Sequence, residues 1–256
     1  GVDATFDEQQ MKIGRRLAMK VLNASKFALS MGGEGAPADV DVAAVTEPAD
    51  RAVLAGLADV VDEATASFDA YDHTRALELA ESCFWSFCDD YLELVKDRAY
   101  SDEPSSRSAR VALNVAVDVF LRLLAPFIPY ATEEVWSWFR TGSVHRAAWP
   151  SSEPLRAAAA GADAEILRVA GEALTALRKV KSENKVSQRT TYAAVSIEVA
   201  DADRARLDAV HADLVRAAHV RGDLNASSVA GEAPVAVASY ELDPPEPKKP
   251  ASAQKA

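Results

Sequence analysis

The run ARVALNVAVDVFLRLLAPF, residues 109–127, constrains the fold more than any other stretch. Wound at 3.6 residues per turn it is apolar on nearly every side, so it has no face to give to water. It must be a central helix enclosed by others, and Pro126 and Pro129 break it.

The helices that enclose it are readable from periodicity. A first helix opens near Thr5 or Asp7, where a capping side chain and acids precede basic turns, and closes at Gly32-Gly33. Its apolar stripe is Leu17, Val21, Ala24 and Ala28. Residues 34–46 read as a loop. Pro48 suits the first turn of a second helix carrying Val53, Leu57, Val60, Val61 and Phe68. A third spans Asp72 to Arg98 and carries Leu77, Phe84, Trp85, Phe87, Tyr91, Leu92 and Val95, aromatics that read as bundle core. In ATEEVWSWF, Thr132, Glu133 and Glu134 suit a helix start, leaving Val135, Trp136 and Phe139 to pack inward. Five helices with short connections make an up-and-down bundle.

The pattern changes after Trp149-Pro150. An Ala-rich segment leads to a helix from Asp163 to Lys181, then TYAAVSIEV alternates as a strand does. A helix from Asp201 to His219 and a second strand, PVAVASYEL, complete a small α+β unit. From Asp243 onward, DPPEPKKPASAQKA has almost nothing to bury and is expected to be disordered. The expected fold is therefore mainly α: a helical bundle over 1–150, an α+β domain over 151–242 and a tail over 243–256.

With 256 residues, 49% of them hydrophobic, the chain can bury a sizeable core. It has no apolar run near the roughly 18 residues a membrane span needs and no signal-peptide pattern, so a cytoplasmic protein with no membrane partner is the default. Cys83 and Cys88 lie five apart on one helix and point in different directions, as buried thiols rather than a disulfide or zinc pair. The net charge of −11 is unevenly spread: Glu47 to Glu103 holds fifteen acids and four bases, which equals that whole excess. Two basic clusters occupy the rest, Lys12, Arg15, Arg16, Lys20 and Lys26, and then Arg178, Lys179, Lys181, Lys185 and Arg189. Within GRRLAMKVLNASKFALSMGG, residues 14–33, stand four bases and no carboxylate. Arg15, Arg16, Lys20 and Asn23 fall on or beside a face away from the apolar stripe, either a solvated face or one offered to an anion.

Catalytic signatures are missing. There is no Walker lysine motif, GxGxxG or HExxH, and no cysteine sits at a useful spacing from a histidine. His73, His145, His211 and His219 are scattered over separate segments, and no metal site is expected. Asp89 and Asp90 fit acid–base or metal chemistry, or simply a carboxylate bonding a neighbouring arginine.

Three stretches nevertheless form an ordered set: GVDATFDEQQMKIGRRLAMKVLNASKF, FWSFCDDYLELVKDRAY and LLAPFIPYATEEVW. In this order and at these spacings they resemble the carboxy-terminal part of valine-tRNA ligases, over residues 1–240. The pattern KxxNAxxF stands as Lys20, Asn23, Ala24 and Phe27, FCDxYxE as Phe87, Cys88, Asp89, Tyr91 and Glu93, and PFxPxxTEExW as Pro126 to Trp136. Ala125 stands where bacterial relatives commonly have histidine. The resemblance implies an anticodon-binding helical bundle of a class I synthetase, followed by a junction domain that buttresses the tRNA. It implies that the first helix lies along the anticodon stem-loop, with Arg15, Arg16, Lys20, Asn23 and Lys26 as phosphate and base contacts. Phe27 matches an aromatic on which an anticodon base stacks, a core role being its alternative. Arg178 and Lys181, which periodicity alone would leave on a solvated face, match a segment of further basic contacts.

The same resemblance implies the partners: tRNA(Val), and an N-terminal catalytic domain that would precede Gly1. The HIGH and KMSKS signatures, the editing domain and a long C-terminal coiled-coil arm are all lacking. The expectation is a monomeric fragment that binds tRNA, holds no cofactor and forms no valyl-adenylate, ATP and Mg belonging to the parent enzyme. Isoleucine- and leucine-tRNA ligases share the bundle, and a helical interaction module without RNA is a further alternative. FCDDYLE and TEEVW favour valine.

Overall fold

The computed structural model describes residues 7–31 and 41–244. The chain divides into two compact units, residues 1–168 and 169–256.

The first unit is built around helix α5 (Ser106–Leu124), 15 of whose 19 residues are buried, as its all-round apolar sequence requires. It is flanked by α1 (Glu8–Met31), α2 (Pro48–Asp69), α3 (His73–Ser86), α4 (Leu92–Tyr100) and α6 (Pro129–Ser137). Helix α1 buries the predicted stripe of Leu17, Val21, Ala24 and Ala28. Its start is capped by Asp7, whose carboxylate accepts from the Gln9 amide at 2.8 Å. Pro48 takes the first turn of α2 as expected. The closing Gly32-Gly33 and most of the 34–46 loop lie outside the described residues, and 42–44 form one 3-10 turn.

Two readings of helix boundaries change. The third helix is interrupted: Phe87–Tyr91 form a π turn between α3 and α4. Helix α6 starts at Pro129 rather than at Thr132. Thr132 is buried inside it, and its hydroxyl donates to the carbonyls of Ile128 and Pro129. The carboxylates of the sequence signal a helix start only approximately; the proline, which has no amide hydrogen to leave unpaired, takes the first turn.

A buried polar knot ties the start of α2 to α4 and the entry to α5. Asp50, fully buried, accepts two bonds from the Arg98 guanidinium at 2.9 Å and one from the Tyr91 hydroxyl at 2.8 Å. Arg98 also donates to the Ser105 carbonyl. Breaking such a pair from one side costs about 3–5 kcal/mol, because the remaining charge stays buried. Within the Ala-rich segment a short helix α7 (Glu153–Ala158) forms, and Arg156 pairs with Asp59 and Asp62 of α2. That packing is why the first unit runs beyond the compositional change at Trp149-Pro150.

Helix α8 (Glu165–Glu183) leads into the second unit, where Leu174 and Leu177 are buried. The sheet has order β2-β1-β3, from β1 (Tyr192–Ala200), β2 (Leu224–Val229) and β3 (Ala236–Leu242). Strand β1 is central and buries Tyr192, Val195, Ile197 and Val199. It pairs parallel with β2, in register Val195 to Leu224, across a connection containing α9 (Arg204–Ala209) and α10 (His211–Ala217). It pairs antiparallel with β3, with two register shifts. Strand β2 is an addition to the sequence reading, and the helix expected over 201–219 is broken at Val210. Gly222 permits the turn into β2: a Cβ there would lie 2.0 Å from the Ala193 carbonyl oxygen. Asp243, where the disordered tail was expected to start, is tied down, its amide donating to Thr191 and its carboxylate accepting from Arg221. Residues 245–256 lie outside the described residues.

Candidate nucleic-acid interface

Six of the residues selected from the sequence share helix α1. Arg15, Arg16, Asn23 and Lys26 are exposed, and Lys20 and Phe27 are half-buried. The apolar stripe fixes this outcome: once Leu17, Val21, Ala24 and Ala28 face the core, the bases are turned to water. Among the described residues, no carboxylate forms an ion pair with Arg15, Arg16 or Lys26.

Lys20 differs. Its ammonium donates to Asp89 of the π turn at 2.8 Å and lies 5.6 Å from the centre of the Trp85 ring. Burial pulls its pKa down, but the Asp89 hydrogen bond and the nearby negative charges more than offset that, so the net shift is upward. Asp89 thus bonds a lysine from another helix. Phe27 meets Tyr100 edge-on at 5.5 Å between ring centres, and the Lys96 ammonium lies 5.7 Å from its own ring centre. It is a partly open aromatic with a cation above it, not a core phenylalanine.

Arg178 and Lys181 are on α8, in the second unit. Lys181 corrects the sequence expectation. Only 2% exposed, it donates to the carbonyls of Gln188 and Ala218 at 2.9 and 2.8 Å and lies 4.8 Å from the Tyr192 ring centre. Burial, and then the Arg178 charge, pull its pKa down to about 8. It holds the loop after α8 against the sheet and offers no charge to a ligand. Arg178 remains half-buried beside it.

Residues the sequence reading left in the core or unnamed, Trp85, Lys96 and Tyr100, also lie beside α1, together with Glu93 of the FCDxYxE motif. The signal for Trp85 was available, since it follows Phe84 and so falls about 100° off the Ala76, Ala80 and Phe84 stripe. Cys83 and Cys88 are free thiols, and burial pushes both up to about 12. Among the described residues, no three His, Cys, Asp or Glu side chains gather as a metal site requires.

Residues 50–198 match the anticodon-binding domain of tRNA ligase. The chain belongs to this family. The anticodon-binding match begins after α1, but full-length relatives extend the similarity across it. The valine–tRNA ligase of Bifidobacterium longum subsp. infantis is 50% identical over 281 aligned residues, 98% of this chain and 30% of that protein. That of Thermobifida fusca is 58% identical over 210 residues, 81% of this chain and 23% of that protein. That of Leifsonia xyli subsp. xyli is 51% identical over 219 residues, covering 84% and 25%. The chain thus spans less than a third of the length of these relatives. Among the described residues, no helix is long and apolar enough to cross a membrane.

Proposed function

We propose that this chain is the tRNA-recognising part of an ATP-dependent valine–tRNA ligase, and that the outward face of α1 lies along the anticodon stem-loop of valine tRNA. The observation that carries this reading is the cation-rich face of α1 in an anticodon-binding chain whose net charge is −11. Among the described residues, no carboxylate pairs with Arg15, Arg16 or Lys26 on that face. An acidic protein repels a polyanion except where its positive charge is concentrated. Arg15, Arg16 and Lys26 serve as phosphate contacts, releasing counterions as they bind. Asn23, on the same face, is suited to a base edge or ribose. Phe27 takes a splayed loop base on its ring face, and Arg178 adds a contact from the junction domain.

In this reading adenylate formation and aminoacyl transfer belong to a catalytic domain elsewhere in the ligase. This chain, which acts in the cytoplasm as part of a monomer, supplies position. The deciding experiment is an electrophoretic shift with valine tRNA, alongside pyrophosphate exchange with valine and ATP. The expected result is a salt-sensitive complex and no exchange; failure to bind valine tRNA at low salt would reject the reading.

A further inference from the structure

Two lysine ammonium groups in the bundle cover aromatic rings. Lys20 of α1 lies 5.6 Å from the centre of Trp85 on α3 and is held there by Asp89 at 2.8 Å. Lys96 of α4 lies 5.7 Å from the centre of Phe27 on α1, with Glu93 at 3.7 Å. The arrangements exchange roles: α1 brings the cation to one and the ring to the other. Lys20 and Phe27 are seven residues apart on α1, roughly 10 Å of helix rise on one face.

Core packing does not account for Trp85. It is half-buried beside the buried Phe84, and its indole N–H donates to Glu81 at 3.2 Å, leaving the ring face to Lys20. Phe27 is likewise half-buried, and the Tyr100 that meets its edge is 57% exposed.

On the reading that this face binds an RNA loop, we propose that Trp85 is a second base-stacking site alongside Phe27. Each lysine covers its ring until an unpaired nucleobase takes its place. A cation and a nucleobase compete for the same π surface, so only one occupies it. The displaced ammonium then has a phosphate within reach of its long side chain, which couples stacking to backbone neutralisation. Asp89 and Glu93 hold the lysines over the rings in the free protein and restrain them from engaging polyanions that have no unstacked base.

The test uses two RNA hairpins with the anticodon stem of valine tRNA, one closed by its own loop and one by a short self-stacked loop. The Trp85 contribution to fluorescence is the difference between the native chain and Trp85→Phe. The native loop is expected to quench it and the stacked loop to leave it unchanged. Trp85→Leu is expected to weaken binding of the native loop about ten-fold and to lower the salt slope by no more than the one phosphate that Lys20 neutralises, while Trp85→Phe stays within about two-fold. Thermal melting of each variant confirms folding, and if Trp85→Leu fails to fold, the fluorescence comparison decides alone. Equal quenching by both hairpins, or native-like binding by folded Trp85→Leu, overturns the proposal and leaves the α1 reading standing. If neither hairpin binds the native chain, both readings fall.

Discussion

Helices α1 and α8 are both basic and amphipathic, yet they use their charge in opposite ways. On α1 the small and branched residues Leu17, Val21, Ala24 and Ala28 take the buried stripe, and Arg15, Arg16 and Lys26 are exposed. On α8 the stripe through Leu174 and Leu177 continues to Lys181, which is buried with them. A lysine four residues beyond a buried leucine sits on the same face, one turn on. The difference teaches that the phase of a basic residue relative to the apolar stripe, rather than the density of charge, decides whether it meets a ligand or holds the fold.

The largest test of this contrast is charge reversal. Lys181→Glu would set a carboxylate against the Gln188 and Ala218 carbonyls and is expected to cost about 3–5 kcal/mol in denaturant unfolding. A cost below about 1 kcal/mol, the size expected of a surface change, would dissolve the distinction between the helices.

Next in size is pH. Lys181 titrates at about 8 in the folded chain against 10.5 for an ordinary lysine, so between those values the unfolded chain binds the extra proton and stability rises with pH. At about 1.4 kcal/mol per unit the gain is at most ~3 kcal/mol. Cys83 and Cys88 of the bundle act in the opposite sense: raised from 9.0 to about 12, they withdraw stability as pH climbs from 9 to 12. The Lys181 effect is therefore read as the difference between the native chain and Lys181→Met over pH 8 to 10. A flat difference would mean that the two carbonyl bonds keep the ammonium charged throughout.

Phe27→Ala is expected to remove about 1–3 kcal/mol of RNA affinity while lowering the salt slope by no more than the one phosphate that Lys96 neutralises. Circular dichroism and melting must accompany it, because Phe27 also packs on Tyr100. Replacing Arg15, Arg16 and Lys20 by glutamine should flatten the log–log salt dependence by about 0.7–0.9 for each phosphate that the protein no longer neutralises, whereas Lys181→Met should leave the slope unchanged. The smallest effect belongs to the same triple variant in the absence of RNA: a change in folding stability within about 1 kcal/mol, since it breaks one half-exposed ion pair, Lys20 to Asp89.

Much of this was written in the sequence. The burial of α5 and the stripe of α1 follow from periodicity alone, because a strong pattern leaves one way to exclude water. Strand β2 did not, since in LNASSV the alternation of Leu224 and Ala226 stops at two serines; it forms because the pleated edge of β1 gives its backbone partners. The Asp50, Tyr91 and Arg98 knot was hidden for another reason. Its charges read as surface charge in one dimension, and only the pairing of α2 with α4 brings them together, although Tyr91, Val95 and Arg98 do share a helical face. Lys181 was misplaced by the habit of assigning lysine to water, when its spacing from Leu177 carried the contrary signal. Pairings between helices, such as Lys20 over Trp85, have no one-dimensional trace at all.

The π turn at Phe87–Tyr91 gives the α3–α4 rod one residue more than a regular helix would need, and this bears on how the chain can vary. A π turn holds one residue more than an α turn and sweeps about the same angle. Deleting one residue between Phe87 and Tyr91 would therefore restore a regular helix with Val95 and Arg98 still turned to the bundle. Deleting one between Leu92 and Val95 would instead rotate Arg98 by about 100° and leave Asp50 a buried carboxylate without its guanidinium. The rod can absorb a change in length at the π turn but not in the regular helix beyond it.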